Sequence, residues 1–127
     1  MPAAVGRRDK FTARFFYKIL KPVGGTWKVF VHFDGGSLRF QGDHKPADSV
    51  GCATSFWKPG DYIVDKFNVI AGDVAYARTK YDIHVGFFRG SHGNWKNMKV
   101  VSAHDGSGKK LTIDADNRVR IGQIDVN

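Results

Sequence analysis

A chain of 127 residues, 42% hydrophobic and 25% charged, fits one compact domain with a core of its own, which sets aside both a disordered tail and a multidomain enzyme. Twenty Lys and Arg against twelve Asp give a net charge of +8, which draws anionic partners, and the single cysteine, Cys52, excludes an intrachain disulfide. Glutamate is absent and leucine occurs three times, against thirteen valines, seven isoleucines, ten phenylalanines and fifteen glycines, a balance that disfavours helices and predicts half-buried strands between tight turns.

Residues 1–10 (MPAAVGRRDK) lack the apolar centre of a secretory signal and read as a flexible basic leader, leaving 11–127 as a single β domain. No stretch is apolar over the length a membrane span needs. Residues 11–20 form the first predicted strand, closed by Lys21-Pro22 and the Gly24-Gly25 turn. The second covers 27–33, where Trp27, Val29, Val31 and Phe33 alternate with Lys28, Phe30 and His32. Their closeness in the chain predicts that the two pair as a hairpin. Asp34-Gly35-Gly36 marks a turn into a short strand at 38–40, and a long irregular stretch follows over 41–60, anchored by Asp43, His44, Pro46, Thr54, Trp57 and the Pro59-Gly60 turn.

Alternation returns at 62–70 and 80–88; Asp65, on the apolar side of the first, has to find donors or a cation there. Residues 89–95 (RGSHGNW) read as a glycine-rich loop, 97–101 as a strand, and 111–113 and 119–126 as the last two strands, separated by a turn at 114–117. Seven or eight short strands between Gly, Asp and Pro turns predict an all-β, two-layer antiparallel β-sandwich, Ig-like or jelly-roll-like, with a partly open β-barrel as the alternative.

The sequence has no Gly-x-Ser-x-Gly elbow, no P-loop, no dinucleotide-binding glycine pattern and no His-Glu-x-x-His, which predicts a domain that is not an enzyme and takes no cofactor. Asp61 and Asp65, four apart on a strand, offer an acid/base pair, but Asp61 behind Pro59-Gly60 equally suits a turn. His32, Asp34, Asp43 and His44 carry the donor types of a zinc site; their loose spacing favours turn caps and backbone bonds, so no metal is expected. Cys52 has no Cys-x-x-Cys partner or local basic pair and reads as a buried or incidental thiol.

Aromatic and charged residues supply the binding candidates. Trp27 begins a strand and belongs to the core, whereas Trp57 and Trp95 stand at loop ends, where flat rings stack on sugars, with anchoring of the long loop as the favoured plainer role of Trp57, since large aromatics are mostly buried. With Asp43 and His44 they form the candidate ligand-binding set. Arg7, Arg8, Lys10, Arg14, Lys18 and Lys21 make a cationic strip suited to anionic polymers, with a solvated strand face as the plainer explanation. Because Phe15, Phe16 and Tyr17 are consecutive, their rings alternate between faces, which argues against a nucleic-acid stacking platform.

The ordered run WKVFVHFD over 27–34, Asp43-His44-x-Pro46, Thr54-x-x-Trp57-x-Pro59-Gly60-Asp61, Ile63-x-Asp65 and Tyr81-x-Ile83-x-Val85-Gly86-Phe87-Phe88 resembles a bacterial β-sandwich domain of large membrane proteins, glycosyltransferase-like ones included, and of exported proteins. The resemblance covers residues 12–126. It implies a periplasmic or extracellular accessory module without enzymatic activity, whose partner is carbohydrate or a neighbouring protein domain. It also implies mainly architectural roles for Asp43, His44, Trp57, Gly60, Asp61 and Asp65, the last tying down the long loop. Two alternatives accompany it: a structural module that homo-oligomerises through exposed sheet edges, and a binder of anionic polymers through the basic strip.

Overall fold

Segments rich in Val, Ile and Phe become strands at nearly every position where their alternation predicts one, because each can turn one face to a core and the other to water. The computed structural model describes residues 1–36, 38–46, 54–72, 79–91 and 93–127. Among these residues the strands are β1 (Ala4–Val5), β2 (Lys10–Lys18), β3 (Lys28–Gly35), β4 (Leu38–Gln41), β5 (Tyr62–Ile70), β6 (Thr79–Ser91), β7 (Asn94–Asn97), β8 (Thr112–Ile113) and β9 (Val119–Val126). A 3-10 turn covers Thr54–Phe56. No helix is long and apolar enough to cross a membrane among the described residues. Cys52 lies outside them.

The strands make two layers. A seven-stranded sheet runs in the order β1-β9-β6-β3-β4, with β7 on the far end of β6 and β8 on β9, and a two-stranded ribbon pairs β2 with β5 from Lys10↔Ile70 to Lys18↔Tyr62. Val29, Val31 and Phe33 of β3, Tyr81, Ile83 and Val85 of β6, and Ile124 and Val126 of β9 face Phe11, Ala13, Phe67 and Val69 of the ribbon. Each large apolar side chain so removed from water contributes roughly 1.5–3 kcal/mol. The domain is therefore an all-β sandwich, and the two-residue period of strand side chains gives each sheet an inner apolar and an outer face.

Four expectations change. Strands β2 and β3 do not form a hairpin: β2 pairs with β5, and β3 with β4 and β6. The first ten residues are not a free leader, since β1 pairs with β9, and the Arg7 and Arg8 amides donate to the Asn127 and Ala71 carbonyls at 3.1 Å. That β1–β9 pairing is parallel, so the sandwich is not purely antiparallel. The stretch expected as a loop at 89–95 is largely strand, because β6 runs on to Ser91 and returns through a tight hairpin into β7, which ends at Asn97 where the predicted strand would begin.

Candidate ligand-binding cleft

The long stretch after β4 is pinned to β3 before it leaves the described residues. Val29 and His44 exchange backbone hydrogen bonds at 2.8 and 2.9 Å, Gly42 N donates to the Val31 carbonyl at 2.8 Å, and Val31 N donates to Asp43 Oδ1 at 3.0 Å. Side chains complete the attachment. His44 Nδ1 meets the Gly42 carbonyl at 2.7 Å, Nε2 meets Asp65 Oδ2 at 2.6 Å, and the ring stacks on Phe67 with centroids 3.9 Å apart. Tyr17 Oη donates to the same Asp65 oxygen at 2.8 Å.

Asp65 is only 1% exposed, so the carboxylate that the strand pattern placed inward has found its donors in a phenol and an imidazole. Burial raises the Tyr17 phenol well above its ordinary range, and the Asp65 charge and hydrogen bond add to this, so it stays a neutral donor. Burial alone would depress His44. The Asp65 hydrogen bond, the Gly42 carbonyl and the charges of Asp65 and Asp43 outweigh it and move the imidazole upward, toward a cation that donates from both nitrogens.

This attachment forms one wall of a cleft of about 410 Å³ lined by Lys28, Asp43, His44, Lys45, Phe88, Arg89, Gly90 and Trp95. Lys28 and Phe88 are register partners on β3 and β6, and Gly90 and Trp95 are partners on β6 and β7, so the floor is the outer face of the large sheet. Trp95 is 59% exposed and rests edge-on against Phe88, with centroids 5.5 Å apart. The Arg89 guanidinium lies 4.7 Å from the centre of the Trp27 ring, which steadies it at the rim. One oxygen of Asp43 is committed to the β3 backbone, which fixes the direction of the carboxylate.

Of the four candidate ligand-binding residues, Asp43, His44 and Trp95 thus come together. Trp57 does not join them: it is 5% exposed and packs on Tyr17 and Phe87, each with ring centroids 6.1 Å away, because the turn that launches β5 folds it into the core. Beside it, Thr54 ties that turn down by donating to the Gly25 carbonyl at 2.9 Å and accepting from Trp27 N at 2.8 Å. Lys28, Lys45, Phe88 and Arg89 were missed by sequence reasoning. Lys28 and Phe88 stand at outward positions of alternating strands, which was visible, but their juxtaposition depends on the β3–β6 register.

The remaining candidates separate. His32 and Asp34 lie on the outer face of β3, opposite His84 and Asp82 of β6, whereas His44 turns inward to Asp65, so the four candidate metal ligands do not converge. Among the described residues no three metal-ligating side chains gather at one point. Burial first, then the charge of Arg39, lowers the His32 imidazole against the opposing pull of Asp43 and Asp34. Asp61 closes its own turn, accepting from Lys58 N at 2.9 Å, while Asp65 is engaged by Tyr17 and His44. Of the cationic strip, Lys10, Arg14 and Lys18 share the outer face of β2, while Arg7, Arg8 and Lys21 lie beyond its ends.

Comparison of the chain with protein-family models, with curated proteins and with solved structures found no match.

Proposed function

We propose that this domain is a non-catalytic accessory binding module that holds an acidic carbohydrate in the Trp95 cleft. The observation that carries the reading is an exposed indole on a β-sheet floor, flanked by Lys28, Lys45 and Arg89 and by an oriented carboxylate. A flat ring takes the apolar face of a sugar, Asp43 accepts from its hydroxyls, and three cations favour a ligand bearing carboxylate or sulfate groups. Among the described residues the one fully buried carboxylate, Asp65, is occupied by Tyr17 and His44 in holding the loop, which supports a binding rather than a chemical role. An accessory role outside the cytoplasm, implied by the sequence motifs, agrees with such a ligand.

Calorimetric titration with neutral and with uronic-acid oligosaccharides tests this. The acidic sugars are expected to bind more tightly, and Trp95→Ala is expected to weaken them about ten-fold, from about 1.5 kcal/mol of lost stacking. Unchanged affinity in Trp95→Ala, or no preference for the acidic sugars, removes the reading.

A further inference from the structure

The outer face of the β2–β5 ribbon lies on the opposite side of the sandwich from the cleft and is built differently. Outward positions on the two strands form five cross-strand rows, from Lys10↔Ile70 to Lys18↔Tyr62, about 27 Å from end to end. All ten side chains are exposed, and not one is a carboxylate. Four are cations: Lys10, Arg14, Lys18 and Lys66. Between and beside them stand large apolar groups, with Phe16 71%, Tyr62 73%, Val64 53% and Ile70 65% exposed, and Phe16 directly opposite Val64.

We infer that this face docks on an anionic bilayer surface, with Phe16, Val64, Tyr62 and Ile70 entering the headgroup region and the four cations meeting lipid phosphates. Charge complementarity and the kind of apolar side chain together select this occupant. A second copy of the chain, set face to face, would oppose eight cations. A soluble polyanion would satisfy the charges but leave the apolar groups in water. A nucleic-acid strand needs rings to stack on, and here two of the four apolar groups are aliphatic, while the Tyr62 ring already lies 5.6 Å from the Lys18 ammonium. A bilayer interface takes aliphatic and aromatic tips alike and concentrates cations at its surface.

The test is co-sedimentation of the full chain with vesicles of phosphatidylcholine alone and of phosphatidylcholine with phosphatidylglycerol, alongside a single-stranded oligonucleotide and heparin in solution. Binding is expected only with phosphatidylglycerol present. Arg14→Ala with Lys66→Ala is expected to weaken it about thirty-fold, and Phe16→Ser about ten-fold. Because these positions are exposed, an unchanged far-ultraviolet circular dichroism spectrum verifies the fold of each variant. Equal binding to pure phosphatidylcholine, no vesicle binding, or, in a Trp95→Ala background that disables the cleft, binding to heparin or the oligonucleotide that Phe16→Ser leaves intact would overturn the inference. Trp95→Ala leaves vesicle binding unchanged, so failure of the cleft and failure of this face are read separately.

Discussion

Asp65 serves two strands and a loop with one side chain. Its single oxygen Oδ2 receives Tyr17 from β2 and His44 from the stretch behind β4, so a residue of β5 closes the gap between the layers beside the cleft. The need for partners was legible, since a carboxylate at an apolar position of an alternating strand cannot remain unpaired. The partners were not: Tyr17 lies 48 positions away and His44 lies 21, and only the β2–β5 register and the Val29–His44 bridge bring them in. The histidine has a consequence for stability. Its folded-state pKa is raised, so the folded protein holds that proton more tightly than the unfolded chain. The stabilisation is fully present below the unfolded value of about 6.5 and is lost as pH rises through the folded value. Thermal melts across this range are expected to show Tm falling as pH rises, and His44→Gln is expected to flatten that dependence while lowering Tm on the acidic side. A His44→Gln profile parallel to that of the parent would mean that the Asp65 pair contributes nothing to it.

Strand β6 shows how a single element is shaped by what its glycines admit. Gly86 faces Phe30 across the β3–β6 pair, and the Phe30 ring lies where a Cβ on residue 86 would be. Phe30 is therefore only 5% exposed although it points to the outer face. Gly90, with φ of 111°, sits where a Cβ would overlap the Asn94 carbonyl oxygen, so the hairpin that presents Trp95 closes tightly. Glycines at 90 and 93 read locally as loop, and the same residues prove to be the condition for an extended strand and its turn. Gly86→Ala is expected to destabilise the fold by about 1–3 kcal/mol in urea denaturation, as the ring is forced aside. Gly106→Ala, where a Cβ would meet nothing within 4 Å, serves as the control with little change. A further limit of local reading is the hairpin expected between β2 and β3. Both strands carry apolar inner faces, and those faces meet across the two layers, with Phe11 edge-on to Phe33 at 5.9 Å, so the strands pack face to face instead of side by side.

At the scale of the whole molecule the sandwich presents two outer faces of different character, the cleft with Trp95 on the large sheet and the basic apolar ribbon on the other side. Trp95 and Phe16 stand on opposite outer faces, and their substitutions should act independently. A double variant, Trp95→Ala with Phe16→Ser, is expected to lose as much oligosaccharide affinity as Trp95→Ala alone and as much vesicle binding as Phe16→Ser alone. Cross-effects in either assay would show that the faces communicate through the core. The sequence by itself determined that the chain is all-β, where most strands lie, which face of the alternating strands turns to the core, and that Asp65 requires partners. Each of these follows from period-two alternation and the chemistry of single residues, which act over a few positions. Only the tertiary structure decided that β2 pairs with β5, that Trp57 is buried while Trp95 is presented, and that Lys28, Asp43, Phe88 and Arg89 share one cleft. Those outcomes rest on register and layer packing between segments far apart in the chain, where several arrangements satisfy the same local pattern and the joint burial of the core selects one.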